Sequence, residues 1–202
     1  MDPLPYDVRW ELSTDEHFGI IVQSGIAVAD PNLAHSVHVD VTGLEPGREY
    51  FYRFMVGSEV SQTGRTKTAP AMGQAVDAIR FGFASCANYE HGYFTAYRAM
   101  AAERLDLIVH LGDYIYEYQD GVNNVRVPED RRVATGWEAD ALREYRDRFA
   151  LYRTDADLRA AHESAPWVVT WDDHEVADNY AGDLDSGNAP VDAFLARRAD
   201  AY

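Results

Sequence analysis

Leu105-Asp106-Leu107-Ile108-Val109-His110-Leu111-Gly112-Asp113-Tyr114-Ile115-Tyr116 is the stretch from which the fold is read. An apolar run, Leu105 to Leu111, reads as a buried strand and ends on a glycine, a carboxylate and a phenol. The pattern recurs at Trp167 to Trp171, which runs into Asp172-Asp173-His174-Glu175. A third apolar run, Ile79 to Ala84, ends on Ser85-Cys86-Ala87-Asn88. Reactive side chains gathered at the ends of neighbouring strands are how α/β proteins build sites. Packing alone does not call for Cys, Asp/Tyr and Asp/His at three strand ends, and these types are metal-ligand chemistry.

Helical spacing separates these runs. Gly92 to Arg104 carries Phe94, Tyr97, Met100 and Ala101 on one face, and is expected to lie across the sheet. Trp137 to Tyr152 is a second helix, with Leu142, Tyr145, Phe149 and Tyr152 on its buried face, and Asp155 to Glu163 is a short third. Pro166 ends that pattern ahead of the next strand. Strands alternating with helices predict a mostly parallel, layered α/β domain. Asp120 to Thr135 is polar and irregular, and suits a surface loop near the site.

The chain up to about Pro70 has a different texture. Short runs at Asp7–Leu12, Phe18–Gln23, Ser36–Val41, Tyr50–Val56 and Ser61–Thr68 are divided by turn residues, which predicts a small β-sandwich. Gly43-Leu44-Glu45-Pro46-Gly47 precedes Tyr50 as the corner of a fibronectin-type module does, with Tyr50 as the corner residue. Thr68 to Gln74 reads as a linker.

With 202 residues, one large domain or two modest ones fit, and either buries a real core. The net charge of −16 opposes binding along a nucleic-acid backbone. A phosphate ester would also be repelled unless cations supplied the local positive field. No apolar run is long enough to span a bilayer, and Met1 to Pro5 lacks the basic and apolar regions of a signal peptide. Cys86 is the one cysteine, so no internal disulfide exists.

Ser85-Cys86, Gly112-Asp113-x-x-Tyr116 and Trp171-Asp172-Asp173-His174-Glu175, in this order, resemble the signature of PhoD-like alkaline phosphatases/phosphodiesterases. The resemblance implies a mixed fold. Residues 1–70 would be a small all-β, fibronectin-type-III-like sandwich. Residues 71–202 would be the N-terminal part of an α/β layered, calcineurin-like metallophosphoesterase domain, incomplete at its C-terminus. It implies hydrolysis of phosphate mono- and diesters outside the cytoplasm, extracellular or periplasmic, using ferric iron beside divalent ions that can be calcium; a monomer is expected.

Carried over residue by residue, Asp113 is the bridging carboxylate, Tyr116 the phenolate ligand of iron and Cys86 a further iron ligand. Asp173 binds the second metal, and His174 is the catalytic histidine. Alternatives stay open at two places: Tyr114 or Tyr118 in place of Tyr116, and Asp172 in place of Asp173. Glu175 and Asn179 are expected to orient neighbours, and Asn88 is a weaker candidate for phosphate contact. His35, His38, His91, His110 and His162 lack ligand spacing and read as structural or exposed. Two competing readings are a non-catalytic binding module carrying a truncated phosphoesterase unit, and a nucleotidase of the same superfamily.

Overall fold

The computed structural model describes residues 4–122, 129–133 and 136–202. The chain divides into two compact units. One comprises Met1–Arg80, Arg104–Leu107 and His162–Pro166; the other comprises Phe81–Glu103, Ile108–Ala161 and Trp167–Tyr202.

In the first unit, β1 (Tyr6–Ser13), β2 (Ile21–Ala29), β3 (Glu49–Val56), β4 (Glu59–Val60) and β5 (Gly64–Lys67) form one sheet. Its order is β2-β1-β3-β4, with β5 also on β3, and the pairings are antiparallel. Alternation along β1 works as read, since Val8 and Leu12 are buried. Tyr50 is 2% exposed, and its hydroxyl accepts a hydrogen bond from the Glu45 amide at 3.0 Å. This bond closes the turn before β3, as expected of a corner tyrosine.

Among the described residues these strands make a single sheet rather than the two facing sheets of the expected sandwich, and two strand expectations are also corrected. The second strand begins at Ile21 rather than Phe18, because the Asp15 carboxylate takes the amides of His17, Gly19 and Ile20 and curls the chain into a loop. Ser36–Val41 forms no strand. Val37, Val39 and Val41 do turn inward while Ser36, His38 and Asp40 stay exposed, so the period is present without a ladder partner.

The second unit is built on β6 (Phe81–Ala84), β7 (Leu107–His110) and β8 (Trp167–Val169), in spatial order β6-β7-β8. β7 and β8 are parallel, with Ile108 opposite Trp167 and His110 opposite Val169. Helix α1 (Thr95–Ala102) connects β6 to β7, and α2 (Leu142–Tyr152) and α3 (Ala156–Ser164) connect β7 to β8. The Arg-rich C-terminal segment is helix α4 (Val191–Ala201). Aromatic rings fill the space beside the sheet. Tyr97 stacks on Trp167 at 6.0 Å, and Tyr114 packs on Phe149 at 5.8 Å and edge-on to His110 at 5.1 Å.

Helix α2 starts at Leu142 rather than Trp137, and Leu142 itself is 41% exposed. The buried face is Tyr145, Arg148 and Tyr152. Arg148 is tolerated there because its guanidinium donates to the carbonyls of Tyr116 and Tyr118. The expected surface loop Asp120–Thr135 is only partly described, since 123–128 and 134–135 lie outside the described residues. Within it, Arg131 and Val133 are buried rather than exposed. Arg131 pairs with Asp155 at 2.8 Å and lies over the Tyr89 ring at 3.7 Å, which accounts for its burial. Among the described residues, no helix is long and apolar enough to cross a membrane.

Candidate metal centre

The three strand ends are joined by two sets of hydrogen bonds. Main-chain bonds tie the loop after β6 to the loop after β7: Cys86 N donates to Gly112 O at 3.2 Å, and Ala87 N to Asp113 O at 2.9 Å. The Glu175 carboxylate ties the loop after β7 to the loop after β8. It accepts from the amides of Asp113 at 3.1 Å, Tyr114 at 2.5 Å and Asp172 at 2.8 Å. Glu175 is 3% exposed, and burial lifts its pKa against the lowering effect of these amides.

The loops are sharply bent. Gly112 has φ +103°, and a Cβ there would sit 2.5 Å from Cβ of Asp172, so a side chain is excluded on both counts. Cys86, Asp113 and Asn179 adopt φ of 57°, 55° and 56°, the left-handed region that non-glycine residues rarely take. Such conformations persist where the surroundings hold them, and they concentrate at functional sites.

The bend after β7 decides among the tyrosines. Strand alternation would send Tyr114, Tyr116 and Tyr118 to one face, but β7 ends at His110. Tyr114 turns into the aromatic core. The Tyr116 hydroxyl donates to Asp113 Oδ2 at 3.1 Å, and its ring lies 4.1 Å from that of His174. Tyr118 meets His174 edge-on at 5.1 Å. Cys86 is exposed, and its thiol is among the groups that raise the Tyr116 pKa.

Asp113, Asp173 and His174 each offer a ligand atom, all within 4.8 Å of one another. Asp172 is not in that group. Asp113 is 7% exposed, and its Oδ1 is buried without a hydrogen-bond partner among the described residues. An unpaired buried carboxylate oxygen on a residue clustered with a second carboxylate and an imidazole is costly unless a cation joins them. Burial, and then the charges of Asp113 and Cys86, push the Tyr116 phenol far above its ordinary pKa. That field favours the proton, and a multivalent cation in the same place would reverse it. Two carboxylates and an imidazole within reach of one another, with the Tyr116 phenol on Asp113, therefore fit a metal; Cys86 is exposed and, like Asp172, is not in that group.

Burial alone would lower the pKa of His174, but the Glu117 hydrogen bond and the charges of Glu117, Asp113 and Asp173 outweigh it and raise it. Glu117 escaped the sequence reading. It is fully buried, with Oε2 2.9 Å from His174 Nδ1 and Oε1 accepting from the Asp178 amide at 2.6 Å. The available signal was an acid inside the aromatic run Tyr114 to Tyr118. Asn179 donates its amide to Asp173 Oδ2 at 2.5 Å and so helps to orient that carboxylate. The Asn88 side chain is engaged locally, with Oδ1 capping the turn at the Glu90 amide, 2.9 Å away.

Comparisons with known proteins place the chain in a family. The family model of the PhoD-like phosphatase matches residues 81–202, and that of the PhoD-like phosphatase N-terminal domain matches residues 2–70. Alkaline phosphatase D of Bacillus subtilis (strain 168) is 52% identical over 200 residues, covering 96% of this chain and 33% of the relative. A solved structure described as the structure of PhoD superposes with a TM-score of 0.95 at 51% identity, covering 100% of this chain and 38% of that one. The chain thus spans about a third of the length of the curated relative it matches. Both family models align in the order of the two textures in the sequence, and the second contains all three strand ends that meet around Asp113: this chain belongs to the PhoD-like phosphatase family.

Proposed function

We propose that this chain carries the metal-binding strand ends of a phosphoesterase that hydrolyses phosphate mono- and diesters. The observation that carries the reading is the orphaned, buried Oδ1 of Asp113 beside Asp173 and His174. The relative named alkaline phosphatase D supports the reaction class.

Ferric iron and calcium are the proposed metals. Tyr116, Cys86 and Asp113 would hold iron, because anionic oxygen and sulfur donors match a hard, highly charged ion. Asp113 would extend to a second ion held by Asp173, and calcium would draw additional oxygen ligands there. When bound, such a pair supplies an acidified water and a positive clamp for phosphoryl oxygens. The protein's own part is positional. Glu175 holds the Asp113 and Asp172 backbones in register, Asn179 steadies Asp173, and His174 faces the site ready to donate a proton to a leaving oxygen or stabilise developing charge.

The β-rich first unit is proposed to be the fibronectin-like module of such an enzyme, with its corner bond at Tyr50 as support. An extracellular or periplasmic location accompanies the reading.

The test is hydrolysis of bis(p-nitrophenyl) phosphate with iron and calcium supplied. Asp113→Ala is expected to lower kcat/KM by at least ~10²-fold, since it removes a ligand and not merely its support. Unchanged activity in that variant would overturn the assigned site.

A further inference from the structure

We propose that Glu117 is a positioning residue that fixes the orientation and tautomer of His174, an inference that rests on the phosphoesterase reading for its catalytic consequence but not for its geometry. His174 is clamped between rings, with Tyr116 against its face at 4.1 Å and Tyr118 edge-on at 5.1 Å. These walls fix the plane of the imidazole. A plane leaves two orientations related by a half-turn about Cβ–Cγ, in which Nδ1 exchanges with Cδ2 and Nε2 with Cε1. Flat aromatic neighbours distinguish these poorly. Glu117 distinguishes them, because one orientation offers Oε2 an N–H at 2.9 Å and the other a C–H.

The rest of the carboxylate is committed. Oε1 accepts the Asp178 amide at 2.6 Å, and Glu117 is fully buried. An acceptor facing Nδ1 selects the tautomer with its proton on Nδ1. Nε2 is then the ring atom left for the cluster with Asp113 and Asp173. Its other acidic neighbour is Asp178, whose Oδ1 is 3.7 Å away and whose backbone Glu117 also holds. One buried carboxylate thus sets both the histidine and the loop beside it. Carboxylate–imidazole pairs of this kind commonly raise the basicity and fix the aim of the remote nitrogen.

Glutamine separates shape from acceptor count. Two donors, His174 Nδ1–H and the Asp178 amide, use both oxygens, whereas Gln has one oxygen. With that oxygen on the Asp178 amide, the side-chain NH₂ faces Nδ1 and demands a lone pair there. Glu117→Gln is therefore expected to move His174 from the Nδ1–H to the Nε2–H tautomer.

Long-range ¹H–¹⁵N correlation spectra of the whole ¹⁵N-labelled chain, at alkaline pH where the ring is neutral, read this directly and need no activity. The ring signals of buried His110, bonded to the Tyr97 hydroxyl at 3.1 Å, report that the fold is intact. Wild-type His174 in the Nε2–H form, or an unchanged tautomer in Glu117→Gln with His110 undisturbed, overturns the proposal. A kinetic cycle adds the consequence. Glu117→Ala should lower kcat ~10- to 100-fold with KM little changed, and should cost nothing further in a His174→Ala background. Additive losses would show that Glu117 acts by holding the fold and would overturn the positioning role. Absence of hydrolysis in the wild type would count against the phosphoesterase reading while leaving the tautomer result standing.

Discussion

Glu175 gives the sharpest mechanical prediction. Its carboxylate collects three amide hydrogens from two different strand ends, at 3.1, 2.5 and 2.8 Å. Glu175→Ala leaves three N–H groups near a buried site without that acceptor, at about 1–3 kcal/mol each. Removing a buried carboxylate returns part of this, because its own desolvation is lifted, as its raised pKa indicates. A net loss of about 3–5 kcal/mol is expected, at the upper end for a single substitution. Glu175→Gln should fall at about half that, since one oxygen still faces two of the three donors. Amide hydrogen exchange locates the effect. Asp113, Tyr114 and Asp172 should lose protection together in the alanine variant, while amides of β1 and β3 in the other unit keep theirs. A loss below about 1 kcal/mol with unchanged exchange at those three amides would refute the account of Glu175 as the tie between strand ends.

Two further effects are expected. His110 is fully buried, and burial pulls its pKa down to about 4. Between that value and the unfolded 6.5, the unfolded chain binds a proton that the folded chain does not, so stability falls as pH falls. The slope is about 1.4 kcal/mol per pH unit, about 3 kcal/mol over the window. Denaturant titrations from pH 7 to 4.5 should show a smaller drop in His110→Gln than in wild type, and equal drops would contradict the assignment. Tyr50→Phe removes the acceptor for the Glu45 amide and should destabilise the first unit by about 1 kcal/mol, measured by thermal unfolding; no change would mean that water replaces the hydroxyl at no cost.

The sequence made the strand-end chemistry legible because each reactive cluster follows an apolar run and a sharp turn. Asp113, Tyr116, Asp173 and His174 meet where those runs end. Tyr50 was legible for a similar local reason, as its partner lies five residues away. What escaped depended on partners far along the chain. Arg148 reads as a polar break in the face of α2, and becomes a core residue only through two carbonyls about thirty positions upstream. Glu117 reads as a solvated acid until His174, 57 positions later, is placed beside it. Ser36–Val41 has the alternation of a strand, but periodicity reports which side chains face inward and not whether a neighbour completes the ladder. Tyr114 was grouped with Tyr116 by a period that stops at His110, where the left-handed backbone of Asp113 soon reorients the chain.

The central claim is the proposal that Asp113, Tyr116, Cys86 and Asp173 hold metal, with His174 beside them. Elemental analysis of the chain after equilibration with iron and calcium tests it most directly, with Tyr116→Phe and Asp113→Ala alongside. The account predicts stoichiometric iron in the wild type, less in Tyr116→Phe and least in Asp113→Ala. No bound metal in the wild type, or equal metal in all three, would contradict it.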